Sequence, residues 1–155
     1  MKKIGIVFPG QGSQKVGMGK ELYDQDNEIK ELFDKANELT ERDLSKICFE
    51  GPDTELTQTQ NAQPGIFLVS VALYQLLQKH KVTPTVVAGH SLGELTAYYA
   101  CGALDFDTTL KTIITRGNAM TAASENKETA MAAILGCDET TLRSILEPYA
   151  SEPVV

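Results

Sequence analysis

The sequence predicts an α/β fold in which helices alternate with the strands of a mainly parallel sheet. Two short apolar runs, at 4–8 and 82–88, each lead directly into a glycine-containing loop, as buried strands often do. Between and after these runs, apolar residues recur at the spacing of amphipathic helices. At 155 residues the chain is long enough for one domain with a sizeable core.

Each element of the first half follows from its residues. Residues 4–8 are predicted as a strand, because this apolar run stops at Pro9 and Gly10. Residues 28–39 are predicted as an amphipathic helix with one apolar face turned inward. A largely buried helix is predicted to start at Pro64, since proline suits the first turn of a helix.

The alternation continues through the second half. A β-branched strand over 82–88 leads into a helix over 94–101. The next helix is predicted to be capped by Asp105 or Asp107. A further buried strand is predicted over 130–135, before a last helix.

Composition narrows the classes of function. The formal net charge of −7 argues against a nucleic-acid partner, which usually requires a basic patch. No run approaches the ~20 apolar residues that span a bilayer, and the run at 4–8 is too short for a signal peptide. We therefore expect a soluble, cytoplasmic protein. An odd number of widely spaced cysteines predicts buried free thiols, at Cys48, Cys101 and Cys137.

Residues 89–93 match the Gly-x-Ser-x-Gly elbow, in which a nucleophilic serine occupies a strained turn between a strand and a helix. The strand predicted before it and the helix predicted after it supply the required context. Ser91 would then be the nucleophile. The backbone N–H of Leu92, at the helix N-terminus, would face an oxyanion on the attacked carbonyl.

The second oxyanion donor must come from another loop. Residues 10–14, directly after the first strand, supply the best candidate, because glycines allow the backbone to approach a substrate closely. We assign the donor to Gln11. An ordinary turn and a phosphate-binding loop are the alternatives, but neither Gly-x-Gly-x-x-Gly nor a Gly-Lys-Ser/Thr ending is present.

No histidine follows Ser91, although a serine nucleophile normally uses a histidine base that comes later in the chain. His80 is predicted to be an exposed cap at a helix end, and His90 a packing group or a support for the site. Either the chemistry runs without histidine, or the base lies in sequence that this chain lacks. We expect truncation, because the chain stops on the apolar pair 154–155 without a capping or turn residue.

Four stretches, in their order and spacing, together resemble the malonyl-CoA:acyl-carrier-protein transacylase family, namely 8–14, 59–64, 89–94 and 116–120. The resemblance runs from residue 1 to the end. It implies an α/β-hydrolase-like large subdomain over 1–127 and the start of an inserted ferredoxin-like small subdomain over 128–155. Family members are much longer than this chain, so their catalytic histidine and the group that orients it are expected in an absent half.

The resemblance also implies roles for individual residues. Ser91 is similar to the family nucleophile, and Gln11 and Leu92 are similar to its two backbone oxyanion donors. Arg116 matches the arginine that binds the acyl carboxylate. Its planar guanidinium suits that role through two parallel charge-assisted hydrogen bonds, and a solvated helix charge is the alternative.

Further substrate contacts are implied around the nucleophile. Gln63 resembles a glutamine at the edge of the pocket, with helix capping as the alternative. His90 and Met120 complete the implied substrate-binding group. Leu92, directly after the serine, resembles the malonyl-selecting form of the elbow in related polyketide acyltransferases.

The implied activity is a two-step acyl exchange in fatty acid biosynthesis, with polyketide synthesis as the alternative pathway. Ser91 attacks malonyl-CoA, CoA departs, and the phosphopantetheine thiol of acyl carrier protein takes the malonyl group. The implied partners are malonyl-CoA, acyl carrier protein and the missing C-terminal half. No nucleic acid, membrane, metal or cofactor is expected.

Two other classes of function stay open on the residues alone. An esterase or thioesterase shares the elbow but needs no carboxylate-binding arginine. A non-catalytic module that binds a partner half or a carrier protein would fit the missing histidine. Losing a second half would expose apolar faces and an edge of the sheet, so we also expect aggregation, self-association or pairing with that half.

Overall fold

The computed structural model describes residues 3–124 and 134–151, which belong to two compact units, Met1–Glu125 and Asn126–Val155. Helices dominate the first unit, and its elements in chain order are β1 Gly5–Phe8, α1 Lys20–Gln25, α2 Asn27–Thr40, α3 Leu44–Glu50, α4 Asp53–Leu56, α5 Thr59–Lys79, β2 Val86–Gly89, α6 Leu92–Ala100 and α7 Phe106–Ser124. In the second unit, α8 Glu139–Leu146 precedes a 3-10 turn at Glu147–Tyr149.

Strands β1 and β2 pair in parallel, with a register that runs from Gly5 opposite Val86 to Phe8 opposite Gly89. The pairing confirms the predicted strand direction, although the sheet has two strands within the described residues and the unit is mainly helical. Both strands end at the same edge, so the loops that follow them leave the sheet side by side. Ligand sites of α/β proteins form at this edge.

Helix α5 runs through the main core of the first unit. Its Phe67 is fully buried, stacks on Phe106 of α7 with ring centroids 5.5 Å apart, and meets Tyr99 of α6 edge-on. The predicted amphipathic helix over 28–39 is confirmed as α2, which turns its apolar face, including the fully buried Phe33, into the same core. Three helices are therefore held against α5.

The predicted start of the central helix at Pro64 was wrong, because α5 begins at Thr59 and Pro64 lies inside it. Proline has no backbone N–H, so the carbonyl of Gln60 lacks its usual helical donor. The Nη1 atom of Arg42 donates to that carbonyl instead, at 2.9 Å. A side chain from outside the helix thus donates to the carbonyl that proline leaves without its helical donor.

The strand predicted over 82–88 is shorter than expected and begins at Val86. Pairing is limited by the length of β1, although the N–H of Thr85 still donates to the Ile4 carbonyl at 2.7 Å. His80 is exposed at the C-cap of α5, as predicted.

Of the two candidate caps for the seventh helix, Asp105 is the one that accepts a hydrogen bond from the backbone N–H of Thr108, at 2.7 Å. Hydrogen bonds from the backbone and the side chain of Thr108 hold the pKa of Asp105 below its usual value. Asp107 instead lies within α7 and pairs with Lys35.

The strand predicted over 130–135 lies largely outside the described residues. Its two described members, Ile134 and Leu135, are exposed and belong to no strand, so they do not continue a buried strand. The assignment of 1–127 and 128–155 to two subdomains stays a prediction. No helix of the described ranges combines the length and the apolar character needed to cross a membrane.

The prediction that all three cysteines are buried was right only for Cys48. This thiol is fully buried on α3, and burial raises its pKa to about 12. Cys101 lies in the turn after α6, and Cys137 lies just before α8, and both are exposed. Their positions in connecting segments outweigh the general tendency of cysteine to be buried.

An apolar groove runs between β1 and α5. It has a volume of about 360 Å³ and is lined mainly by apolar side chains, among them Ile6, Leu73 and Leu77. On the sheet itself, Val7 is 79% exposed and Val86 is 64% exposed. Apolar strand residues that are this exposed favour association with another protein chain.

We therefore predict that the 155-residue chain self-associates in solution, and that Val7→Lys weakens the association by placing a charge on the exposed strand. Sedimentation velocity at several concentrations would measure this. Thr54→Lys, on an exposed α4 position outside the groove, is the matched control and should leave the association unchanged. A cooperatively melting wild-type monomer at every concentration would contradict the prediction.

Candidate active site

Ser91 lies in the turn between β2 and α6, with φ of 54° and ψ of −107°. Residues with a side chain seldom adopt a positive φ, and such strain persists only where the surroundings impose it. Ser91 is exposed, whereas the next residue, Leu92, is fully buried. The turn therefore presents a serine hydroxyl at the surface and anchors the helix behind it, as in a nucleophile elbow.

Glycines allow this turn to approach the strands. A Cβ atom at Gly93 would lie 2.2 Å from the carbonyl oxygen of Phe8, and one at Gly89 would lie 1.9 Å from the backbone of Gly93. No side chain fits at either position. Helix α6 therefore starts in direct backbone contact with the end of β1, which is the geometry that the elbow motif predicted.

The loop after β1 packs against the elbow. A Cβ atom at Gly10 would lie 2.7 Å from the carbonyl oxygen of His90 and 2.8 Å from its Nδ1 atom. The backbone N–H of His90 donates to the Phe8 carbonyl at 3.1 Å. These contacts bring Gln11, the next residue of the loop, to the elbow.

Both predicted oxyanion donors are backbone N–H groups near this junction. Leu92 is the first residue of α6, where backbone N–H groups have no acceptor within their own helix. Among residues 3–124 and 134–151, neither the N–H of Leu92 nor that of Gln11 donates to a protein acceptor. An oxyanion hole requires backbone donors without a protein acceptor, and these two N–H groups meet that condition.

Arg116 reaches the serine from helix α7. Its Nη2 atom donates to Ser91 Oγ at 2.8 Å, and its Nη1 atom donates to Gln63 Oε1 at 2.7 Å. The arginine is therefore part of a polar network with Ser91 and Gln63, and its role in carboxylate binding stays a prediction. A guanidinium beside the Ser91 hydroxyl is also able to donate hydrogen bonds to an anionic group placed there.

Gln63 connects the parts of this network. It is 1% exposed, and its Nε2 atom donates to Gln11 Oε1 at 3.1 Å and to Met120 Sδ at 3.4 Å. The alternative that Gln63 caps a helix was wrong, because it lies inside α5, whose N-cap is Gln58. Gln63 thus links the loop after β1 to helix α7.

Side-chain hydrogen bonds join five of the seven predicted site residues, namely Gln11, Gln63, Ser91, Arg116 and Met120. The other two, His90 and Leu92, flank Ser91 in the chain. His90 is exposed and contacts the loop at Gly10, so it is not a packed core residue. Within the described ranges, the polar partner of Ser91 Oγ is Arg116, and no histidine is bonded to it. In those same ranges, no cluster of three metal-ligating side chains is found.

Sequence reasoning missed two supporting residues. Thr59 accepts a hydrogen bond from Gln11 Nε2 at 3.2 Å, and Arg42 binds the first turn of α5. The signal for Thr59 was its place in the 59–64 stretch. For Arg42 the only signal was a proline within a helical pattern, which requires an outside donor.

Residues 6–151 match the model of the acyl transferase domain family. The chain belongs to this family. The match includes β2, all of β1 except Gly5, the elbow and all the residues of the network described above.

Relatives of this acyl transferase domain share both sequence and fold. Over 152 residues the chain is 47% identical to the malonyl CoA-acyl carrier protein transacylase of Bacillus subtilis (strain 168). The alignment covers 98% of this chain and 48% of the relative. The transacylase structure from Coxiella burnetii superposes with a TM-score of 0.90 at 38% identity, covering 99% of this chain and 49% of that one.

A third comparison is with a complex. A malonyl-transacylase bound to its type II PKS acyl-carrier protein has a TM-score of 0.84 at 29% identity, covering 97% of this chain and 49% of that one. The chain spans about half the length of the curated relatives it matches. The chain therefore has the fold of the half of these transacylases that it matches, which is the half that contains the elbow.

Gly93→Ala tests the close approach of α6 to β1. The added methyl group would overlap the Phe8 carbonyl, so we predict a loss of roughly 1–3 kcal/mol in the free energy of unfolding. Urea denaturation followed by circular dichroism measures it. Gly117→Ala is the matched control, because a Cβ atom there meets nothing closer than 3.8 Å and alanine favours helix. Equal stability of both variants would contradict the prediction.

Proposed function

We propose that this chain carries the nucleophile and the carboxylate-binding group of a malonyl-CoA:acyl-carrier-protein transacylase of fatty acid biosynthesis. The observation that carries the proposal is the guanidinium of Arg116, which hydrogen-bonds both Ser91 Oγ and Gln63 Oε1. The relatives named above are malonyl transacylases, and one of them is bound to its acyl-carrier protein. These names support malonyl-CoA as acyl donor and a carrier protein as acceptor.

In the first step, Ser91 Oγ attacks the thioester carbonyl of malonyl-CoA. The negative charge on the carbonyl oxygen is stabilised by the backbone N–H groups of Gln11 and Leu92, and by the positive end of the α6 dipole. The C–S bond then breaks, and the malonyl group stays on Ser91 as an ester. The serine proton passes through a base to the departing CoA thiolate.

In the second step, the phosphopantetheine thiol of the carrier protein attacks the serine ester and gives its proton to the same base. The bond to Ser91 Oγ breaks, the malonyl thioester leaves, and the proton returns to the serine. We assign the base to a histidine in the half of the family's length that this chain does not span, since neither His80 nor His90 is hydrogen-bonded to Ser91 Oγ. The proposal requires no metal and no cofactor.

Arg116 supplies the preference for malonyl. A carboxylate beside the acylated serine would accept two parallel hydrogen bonds from its guanidinium, and these are stronger than bonds between neutral groups. Gln63 is buried and holds the guanidinium from one side, which limits the rotamers of a long side chain. Anchoring the malonyl group in this way also keeps its ester away from bulk water and favours transfer to a thiol.

The finer architecture and location belong to the same proposal. We infer an α/β-hydrolase-like subdomain over 1–127, with the parallel strands and the elbow as support, and a ferredoxin-like insert that starts in 128–155. A cytoplasmic location fits the substrates. Carrier proteins of polyketide synthesis present the same thiol, so a polyketide role would use the same residues.

Intact-mass spectrometry after incubation with malonyl-CoA tests the nucleophile. The chain joined to the C-terminal half of the Bacillus subtilis relative should gain one malonyl group, and Ser91→Ala in the same protein should gain none. An adduct on the 155-residue chain alone would mean that the elbow and the oxyanion donors suffice without the usual base. No adduct on either form would refute the proposed function.

Arg116→Ala should lower the preference for malonyl-CoA over acetyl-CoA. Hydrogen bonds to a charged group contribute about 1.5–3 kcal/mol, which corresponds to roughly 10–100-fold in the ratio of acylation rates. Arg116→Lys should recover only part of it, because lysine lacks the paired donors. Lys111→Ala, an exposed charge on the same helix, is the control. An unchanged ratio in Arg116→Ala would exclude a role in carboxylate binding.

A further inference from the structure

We propose that Arg42 is a positioning residue for the acyl site: its guanidinium replaces the hydrogen bond that Pro64 removes from α5, and so fixes the turn that presents Gln63 to Arg116. The inference rests on the proposed function for its catalytic consequence. Its structural part concerns only this chain and can be tested without turnover.

The gap in helix α5 is local. An N–H at position 64 would donate to the carbonyl of Gln60, and proline has none. The Nη1 atom of Arg42 takes this place, at 2.9 Å from the Gln60 carbonyl oxygen and 3.2 Å from Asn61 Oδ1. The helix keeps a donor at this carbonyl although the donor belongs to another element.

The position of Arg42 is itself fixed. Its backbone N–H donates to the Asn37 carbonyl at 3.2 Å, just beyond the end of α2. The side chain of Asn37 bonds both the hydroxyl and the backbone N–H of Ser45, at 2.6 and 3.2 Å. A hydrogen bond from an exposed, flexible arginine would contribute little stability. Here the backbone of Arg42 belongs to a turn that hydrogen bonds to Asn37 and Ser45 hold on both sides.

The turn that Arg42 holds leads to the site by two contacts. Gln63 follows Gln60 by one helical turn, and its side chain binds Arg116 at 2.7 Å. On helix α7, a Cβ atom at Gly117 would lie 3.8 Å from the Cα atom of Gln60, so this turn is also where α7 rests on α5. A shift of the Gln60 carbonyl therefore moves both the partner of Arg116 and the helix that carries it.

A double-mutant cycle with Pro64 isolates this role. Pro64→Ala restores an N–H that can donate to the Gln60 carbonyl, which makes the guanidinium dispensable. Arg42→Ala should therefore disturb the site in the natural background and have little effect in the Pro64→Ala background. Lys46→Ala is the matched control, since this exposed lysine lines the same surface cavity as Arg42 and its substitution removes the same positive charge.

The first readout is structural and uses the 155-residue chain. The side-chain amide signals of Gln63 in a ¹H–¹⁵N correlation spectrum, identified by their loss in Gln63→Ala, report its bonds to Gln11 and Arg116. They should shift when Arg42→Ala is made in the natural background, barely move when it is made in the Pro64→Ala background, and stay in place in Lys46→Ala. No shift in Arg42→Ala, or the same shift in the single and double variants, would overturn the inference.

The second readout is the ratio of malonyl to acetyl transfer onto Ser91, in the form of the protein that is acylated. Arg42→Ala should lower this ratio roughly tenfold, which is less than the ~100-fold loss of rate that a 1 Å misplacement can cause. In the Pro64→Ala background, Arg42→Ala should leave the ratio nearly unchanged. An unchanged ratio would overturn the catalytic part of the inference. If the wild-type protein is not acylated at all, the proposed function fails, and the amide spectra alone decide the role of Arg42.

Discussion

The close approach of helix α6 to the carboxyl ends of the two strands is the constraint on which the rest of the site depends. It is possible only because Gly89 and Gly93 carry no side chain, and Ser91 in the turn between them has a positive φ of 54°. Such strain costs about 1–3 kcal/mol and must be offset by the surroundings. Burial of Leu92 and the hydrogen bond from Tyr74 Oη to the Ala100 carbonyl hold the two ends of α6 in place.

Helix α5 joins this site to the core. Gln63 and Phe67 are one turn apart, the first buried in the polar network and the second in the aromatic cluster with Phe106. Both residues contact helix α7, Gln63 through Arg116 and Phe67 through Phe106. The arginine therefore reaches Ser91 from a helix that is fixed by packing, and a buried polar network is well suited to specify one arrangement of its members.

The sequence predicted the site better than it predicted the limits of the elements around it. The elbow and the loop with Gln11 follow directly after strands, so local motifs located them, and the resemblance supplied Arg116. The start of α5 was missed because proline favours a first helical turn. Here Pro64 lies inside the helix, and the donor to the Gln60 carbonyl comes from Arg42, a residue distant in sequence. The strand over 82–88 was predicted too long because β-branched residues indicate strand propensity, whereas pairing needs a partner of equal length.

The hydrogen bond between Arg116 and Ser91 has a consequence for how the site would compare acyl groups under the proposed function. Before any substrate enters, the guanidinium already has an acceptor in the serine hydroxyl. A carboxylate is a stronger acceptor and displaces that hydroxyl, whereas an uncharged acyl group offers nothing to exchange for it. The serine hydroxyl thus competes with the acyl group for the guanidinium. The binding free energy that an acyl group gains from Arg116 is the difference between its own hydrogen bonds and the hydrogen bond to Ser91 that it replaces.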